Sequence, residues 1–324
     1  MTAREPAPSV PTAIRWPIGG IGCETVSDFL NAFSIQNWLE SCPQSYLMNT
    51  EYGHQPDAQE PGLVLENQTV REEAISTTVQ LVVGERAALA ASSGLINAAP
   101  DHGSKRFLAT QTLDEARHVE IFTQRLFDLG VEKHELEETI ARFANPNLVK
   151  FAEILLEKVD EGDFVAGVVG QNIVLEGLAF SVFEMMQVAN VEANPKFAQT
   201  LSGTIADERR HVGFGENRIG SLIREQPEKR SEVERMQKEM AYYMLATFAD
   251  RFSGQASAVQ EVRRIAQQTE LESGDVPRSQ LWHGTDLASA DPSQMEAVLA
   301  DTVLKEFKTR LGRIGLEYQT PDRP

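Results

Sequence analysis

The chain has 324 residues, 41% of them apolar, with 48 acidic against 30 basic residues and a formal charge of −18. That apolar share builds a substantial core, in one large helical domain or two average ones, while the acidity disfavours nucleic acid and anionic membranes as partners. The only cysteines, Cys23 and Cys42, exclude a disulfide framework and a four-cysteine zinc site, so a cytoplasmic location is expected.

Residues 1–66 are rich in Pro, Gly and polar residues and read as an irregular arm with one short helix at 27–40. Their start, "MTAREPAPSVPTAIRWP", has no apolar h-region of a secretory signal. No apolar run is expected to reach the length of a membrane span. From 67 to 253 the pattern is helical almost throughout. One helix runs from 67 to Pro100, which stops it. A second runs from 104 to Gly130, a glycine placed as a C-cap. Shorter helices follow at 132–144 and 147–160. The stretch 163–193 is apolar nearly all round and is expected to be one central buried helix. A turn at Asn194-Pro195 leads to a helix over 195–227, and an amphipathic helix covers 228–252. Beyond 254 the signal weakens to a long loop at 271–293 and a terminal helix at 294–315. No alternation is strong enough for a sheet. Four helices of about thirty residues, joined in pairs by short turns, predict an all-α antiparallel four-helix bundle with flanking helices. The arm (1–66) precedes this bundle (67–253), and a loop and helix (254–324) pack on it.

Inside this ordinary helical pattern a charged hexad, D-E-x-R-H-V, occurs twice, as "DEARHV" at 114–119 and "DERRHV" at 207–212. In each copy Glu and His stand three apart, Glu115 with His118 and Glu208 with His211, so both side chains share one helix face and can hold one ion. A third E-x-x-H, Glu51–His54, falls in a loop-like segment and reads as coincidence. Each preceding helix carries a lone acid in an apolar run, Glu85 in "QLVVGERAALAA" and Glu176 in "GVVGQNIVLEGLAF". A buried carboxylate needs a partner or a metal. The midpoint of 85 and 115 is 100, at Pro100; the midpoint of 176 and 208 is 192, beside the Asn194-Pro195 turn. Each lone Glu is therefore level with the E-x-x-H of its antiparallel partner. Glu72 and Glu73 compete with Glu85 but lie near the helix start beside Arg71. Glu184 competes with Glu176 but is less well centred on the turn.

Two such helix pairs face to face assemble four Glu and two His, the ligand set of a carboxylate-bridged dinuclear centre. Four carboxylates balance two divalent ions, and imidazole with hard oxygen ligands suits Fe or Mn. Metal-bound histidine commonly donates its other N–H to a carboxylate. Asp114 is accordingly expected to serve His211, and Asp207 to serve His118, with Arg117 and Arg210 neutralising the two aspartates.

Glu85, Glu115-x-x-His118, Glu176 and Glu208-x-x-His211 resemble the ferritin-like superfamily of dinuclear carboxylate proteins over about 67–227. The Asp before Glu115 and before Glu208 and the spacing near thirty look most like its oxygen-activating branch. That branch includes multicomponent monooxygenase hydroxylases, ribonucleotide reductase small subunits and R2-like oxidases. The resemblance implies two Fe ions, or an Mn/Fe pair, with O2 as co-substrate and an external electron donor. Several positions depart from particular subfamilies. Phe122 stands where a radical tyrosine usually follows the first ligand His. Ala88 and Gln171 occupy the positions of a Val–Tyr crosslink, Phe180 replaces a threonine of the monooxygenases, and 195–227 contains no histidine besides His211.

Residues one turn from the ligands, Val82, Ala88, Gln111, Phe122, Ile173, Phe180, Thr204 and Gly215, are expected to bound a substrate pocket. Most are apolar, as a dry site for an organic molecule requires. Thr204 is the candidate catalytic hydroxyl, placed to hydrogen-bond oxygen bound at the metals. The function expected is a monooxygenase or oxidase acting on a small organic substrate. Its expected partners are a reductase or ferredoxin and a second copy of the chain in a homodimer, with no nucleic acid and no membrane. The alternatives are a ribonucleotide reductase-like radical generator and a ferritin-like iron-oxidising protein.

Overall fold

The computed structural model describes residues 59–254, 261, 280–287 and 289–321. The helix expected at 27–40, both cysteines, Glu51–His54 and residues 271–279 and 288 of the expected 271–293 loop lie outside these residues. In chain order the helices are α1 (Gly62–Glu66), α2 (Gln68–Ala98), α3 (His102–Asp128), α4 (Leu136–Phe143), α5 (Pro146–Asp160), α6 (Phe164–Val168), α7 (Glu176–Asn190), α8 (Pro195–Glu225), α9 (Arg230–Gly254) and α10 (Pro292–Arg313). The starts follow from the local sequence. Asn67, Asp101, Asn145, Asp163, Asn194 and Asp291 each turn a side-chain oxygen onto a free backbone N–H of the first turn, and Pro146, Pro195 and Pro292 occupy first helical positions. Just past α3, Gly130 takes φ +89°, a conformation that costs a glycine little.

The helices α2 and α3 form one antiparallel pair, and α7 and α8 the other. The stretch 163–193 differs from the single helix expected. It is a continuous rod in which Val169–Leu175, between α6 and α7, is a π-helix, and the N–H of Glu176 bonds the carbonyl of Gln171 five residues back. A π turn widens the helix by one residue and re-aims the side chains that follow it. Uniform apolarity conceals the change of period, since no polar face shows the stripe to shift. A second difference lies in 281–286, where Leu281–Trp282 and Thr285–Asp286 pair as a two-residue antiparallel hairpin. Two residues per strand are too few to leave an alternation in the sequence.

Contrary to the sequence expectation, two helical stretches are long and apolar enough to cross a membrane by length and composition, Gln68–Ala98 and Phe164–Asn190, with window hydropathies of 1.2 and 1.5. In the second, 83% of that window is buried within the protein itself. A helix sheathed by other helices needs apolar residues on every side, as a membrane span does. Its sheath is visible in the packing: α9 and α8 lie against the π segment, and α10 lies along α7. The buried apolar side chains divide into two clusters. One contains Leu95, Leu108, Ile173, Leu178, Ile219 and Phe307. The other contains Val79, Val82, Phe122, Phe180, Phe197 and Leu201. Along each of the four central helices, the conspicuous acid falls at the seam between the two.

Candidate metal centre

Glu85, Glu115, His118, Glu176, Glu208 and His211 are all brought together at this seam, and each is at most 5% exposed. The Nδ1 atom of His118 faces Glu85 Oε2 at 3.4 Å, Glu115 Oε2 at 3.3 Å and Glu208 Oε1 at 3.5 Å. The Nδ1 atom of His211 faces Glu115 Oε1 at 3.3 Å, Glu208 Oε2 at 3.4 Å and Glu176 Oε1 at 3.7 Å. The arrangement is close to twofold. Glu115 and Glu208 each turn one oxygen to each histidine, while Glu85 and Glu176 each face one.

The second ring nitrogen fixes the chemistry of the first. His118 Nε2 lies 3.1 Å from Asp207 Oδ2, and His211 Nε2 lies 3.2 Å from Asp114 Oδ2. Each histidine thus meets the aspartate of the other hexad. An ionised carboxylate only accepts, so Nε2 is the donor, and once the imidazole sheds its second proton the lone pair of Nδ1 points into the cluster. Both Nδ1 atoms, with Glu115 Oε2 and Glu208 Oε2, are buried without a hydrogen-bond partner. Donor atoms about 2.1 Å from one ion stand about 3.0–3.4 Å apart at right-angled to tetrahedral geometry. The observed separations are close to that, and the orphaned atoms are those a pair of ions would engage. The residues fit the dinuclear group.

The electrostatics of the protein side agree. Burial raises the Glu85 carboxyl to about 8, with Glu115 and Glu208 adding to the rise and His118 opposing it. Burial and the charge of Glu208 push Glu176 well above the ordinary range. Burial disfavours a charged His118, yet the Glu85 and Glu115 carboxylates outweigh it and raise the imidazole to about 9. His211 is also raised well above its usual value, against burial, by Asp114, Glu208 and Glu176. Without metal, protons and imidazolium charge substitute for cations among four carboxylates.

Around the ligands, Arg117 pairs with Asp207, and Arg210 reaches both aspartates, Asp207 Oδ1 at 2.6 Å and Asp114 Oδ2 at 2.9 Å. The residues placed one turn from the ligands, Val82, Ala88, Gln111, Phe122, Ile173, Phe180, Thr204 and Gly215, are all buried. Three of them have contacts that give them a different character from a pocket wall. Gln111 Nε2 donates to Glu176 Oε1 at 2.7 Å and to Glu115 Oε1 at 3.2 Å, so it holds ligands. Gly215 marks a close approach of α8 to the π segment, because a Cβ there would lie 2.5 Å from Asn172 Cβ. The Thr204 hydroxyl donates along its own helix to the Thr200 carbonyl at 3.3 Å.

Two residues of the π segment hold a ligand beyond what the sequence pattern predicts. Gln171 Nε2 donates to Glu176 Oε1 at 3.2 Å and to the Ala88 carbonyl at 3.2 Å. Asn172 Nδ2 donates to Glu176 Oε2 at 2.9 Å and to Gln111 Oε1 at 3.1 Å. The signal was present: "GQN" is as conspicuous in an apolar helix as the lone Glu176. A buried clasp away from the centre is a further feature that the sequence pattern does not predict. Arg125 joins Glu60 at 3.0 Å and the Thr78 hydroxyl at 2.7 Å, Asn194 donates to the other oxygen of Glu60, and the guanidinium lies 3.5 Å from the centre of the Phe197 ring.

No known family profile matches the sequence, and no curated protein matches it. Solved structures do. A variant of an R2-like ligand-binding oxidase with an anaerobically reconstituted Mn/Fe cofactor superposes with a TM-score of 0.59 at 19% identity, over 80% of this chain and 87% of that one. The fold is ferritin-like. A second variant of that oxidase, with an aerobically reconstituted Fe/Fe cofactor, gives 0.56 at 17% identity over 78% and 84% of the two chains. A protein with aldehyde deformylating oxidase activity from Synechococcus gives 0.56 at 15% identity over 78% of this chain and 94% of that one. At such identities the likeness establishes the ferritin-like bundle, and the chemistry must be argued from the side chains within it.

Proposed function

We propose that this ferritin-like chain is an O2-dependent oxidoreductase that holds a dinuclear non-haem centre, Fe/Fe or Mn/Fe, and oxidises or hydroxylates a small organic substrate. The observation that carries the reading is the pair of buried, unpartnered Nδ1 atoms, each facing three carboxylates. Glu85 and His118 would hold one ion, Glu176 and His211 the other, and Glu115 and Glu208 both. When bound, such a pair of ions supplies reductive activation of O2 with electrons from an external donor.

The remaining work belongs to the protein. Asp114 and Asp207 hold the two imidazoles in the tautomer that presents Nδ1 inward. Gln111, Gln171 and Asn172 orient Glu176 with three amide donors. Val82, Ala88, Phe122 and Phe180 exclude water from the seam, which strengthens electrostatic interactions inside it. Thr204 can present its hydroxyl to bound oxygen only by leaving the Thr200 carbonyl, and it is the proposed catalytic hydroxyl on that basis. Phe122 is fully buried where a radical generator would keep a phenol, and Tyr242, Tyr243 and Tyr318 lie outside the four ligand helices. That favours direct substrate oxidation over radical storage. A reductase or ferredoxin as donor, a homodimeric assembly and a cytoplasmic location belong to the same proposal.

The test is O2 uptake by the iron-loaded protein with a chemical reductant and a panel of small apolar substrates. Uptake coupled to an oxidised product, and lost in Glu115→Ala, supports the reading. Incorporation of label from 18O2 distinguishes a monooxygenase from an oxidase. Equal uptake by wild type and Glu115→Ala would sink it.

A further inference from the structure

A second group of metal-ligating side chains lies away from the dinuclear cluster, where three separate elements meet. Glu184 on α7, His283 in the turn of the β-hairpin and Glu306 on α10 bring one ligand atom each within 4.8 Å of one another. His283 Nε2 stands 3.7 Å from Glu306 Oε1. The other oxygen, Glu306 Oε2, accepts a 2.5 Å hydrogen bond from the Ser181 hydroxyl of α7, which fixes the carboxylate and leaves Oε1 toward the histidine. His283 is set by its turn. It has φ +44°, the one positive φ outside glycine among the described residues, and its ring meets that of buried Trp282 edge-on at 4.6 Å. A histidine tolerates this region better than most residues, but the conformation persists only where its surroundings hold it.

Two guanidiniums, Arg209 and Arg310, also act on Glu184. Both guanidiniums have other partners: they lie over the Phe180 ring at 5.8 and 4.8 Å, and Arg310 also pairs with Glu216. A cavity of about 840 Å3 adjoins the group, lined by His283, Asp286, Asp301, Lys305 and Glu306 among others, so an ion can enter from solvent.

We propose that Glu184, His283 and Glu306 form a mononuclear site for a divalent transition-metal ion, which fastens the hairpin to α7 and α10 and keeps a coordination position open to the cavity. Two carboxylates neutralise a dication, and one imidazole selects a transition metal over magnesium or calcium. Three protein ligands with an open fourth position is an arrangement zinc accepts. The inference is independent of the proposed oxidation chemistry.

The experiment uses the full chain with its iron loaded and Zn2+ as the probe. After equilibration and removal of free ions, iron and zinc are counted per chain by mass spectrometry. The expected result is one zinc per chain with the iron count unchanged. His283→Ala, at an exposed turn, loses the zinc and keeps the iron, and the unchanged iron count reports that the fold is intact. Glu306→Gln weakens zinc at least tenfold. The proposal is overturned if wild type retains no zinc, if zinc enters only as iron leaves, or if the His283→Ala/Glu306→Gln double variant retains zinc as wild type does. Failure of the dinuclear reading would appear in the iron count alone.

Discussion

The two helix pairs supply the same ligands from different surroundings. In the first pair, α2 and α3 are unbroken α-helices, and the lone acid Glu85 has apolar Val82 and Ala88 one turn to either side. In the second, Glu176 follows a π segment and is held by the amides of Gln111, Gln171 and Asn172. The contrast extends to the position seven residues after each hexad aspartate-glutamate pair, Phe122 in the first copy and Gly215 in the second, 215 − 122 = 93 residues apart, as the hexads are. Phe122 fills apolar space that Gly215 must leave to Asn172. The inward face repeats because its chemistry needs it, and the rest has diverged with the packing of each pair.

That comparison can be broken most severely at the shared carboxylates. Glu115→Ala or Glu208→Ala, each removing a group that faces both histidines, is expected to abolish tight binding of both ions. Glu85→Ala or Glu176→Ala should cost one ion each. Metal counts after anaerobic Fe(II) loading check this, and equal counts in all four variants would contradict the division into shared and single ligands.

Next comes the Phe122–Gly215 contrast. Phe122→Ala should lower stability by about 3–5 kcal/mol, from lost burial plus a cavity. Gly215→Ala should cost about 1–3 kcal/mol through overpacking. Denaturant unfolding of the metal-free protein measures both, and a neutral Gly215→Ala would show that α8 does not need its close approach.

The aspartates give a smaller difference. Asp207 accepts from His118 and pairs with both Arg117 and Arg210, whereas Asp114 is more exposed and pairs with Arg210. Loss of such a partner typically costs about 10–100-fold in metal affinity. Asp207→Ala is expected at the upper end of that range and Asp114→Ala at the lower. Competition with a coloured chelator reads both. Unchanged metal affinity and activity in both variants would remove the aspartates from the centre.

The last effect, graded across the pH range, is on the protons of the cluster. His118 is raised to about 9 and Glu85 to about 8, so below these values the metal-free cluster holds protons that ions must displace. Metal affinity should therefore rise with pH through the neutral range up to about 9, by about tenfold per unit for each proton released. The opposite sign governs the metal-free fold. Stability from the raised His118 is complete below about 6.5 and is lost as pH rises through about 9.

How far the sequence carries depends on whether a residue leaves a periodic or charged trace. Glu85 and Glu176 are legible as lone acids in apolar runs, the other four ligands through the doubled hexad, and the turn at Pro100 and the one before Pro195 set their depths. The pairing of each aspartate with the opposite histidine followed from the doubled hexad. The π segment was not legible, since a helix apolar on all sides shows no stripe whose phase could slip. Asn172 and Gln171 did carry a polar trace, but their role depends on where the π turn aims them. Gly215 and Gln111 sit at the correct depth, yet only contacts distinguish a close approach or a ligand clamp from a pocket wall. The hairpin at 281–286 is too short for any alternation.

The most direct test is a crystal structure of the metal-loaded protein with anomalous scattering recorded at the Fe and Mn edges. Two peaks are expected between Glu115 and Glu208, one beside His118 and one beside His211. A single peak at the seam, or none in crystals of protein that turns over O2, would contradict the dinuclear centre.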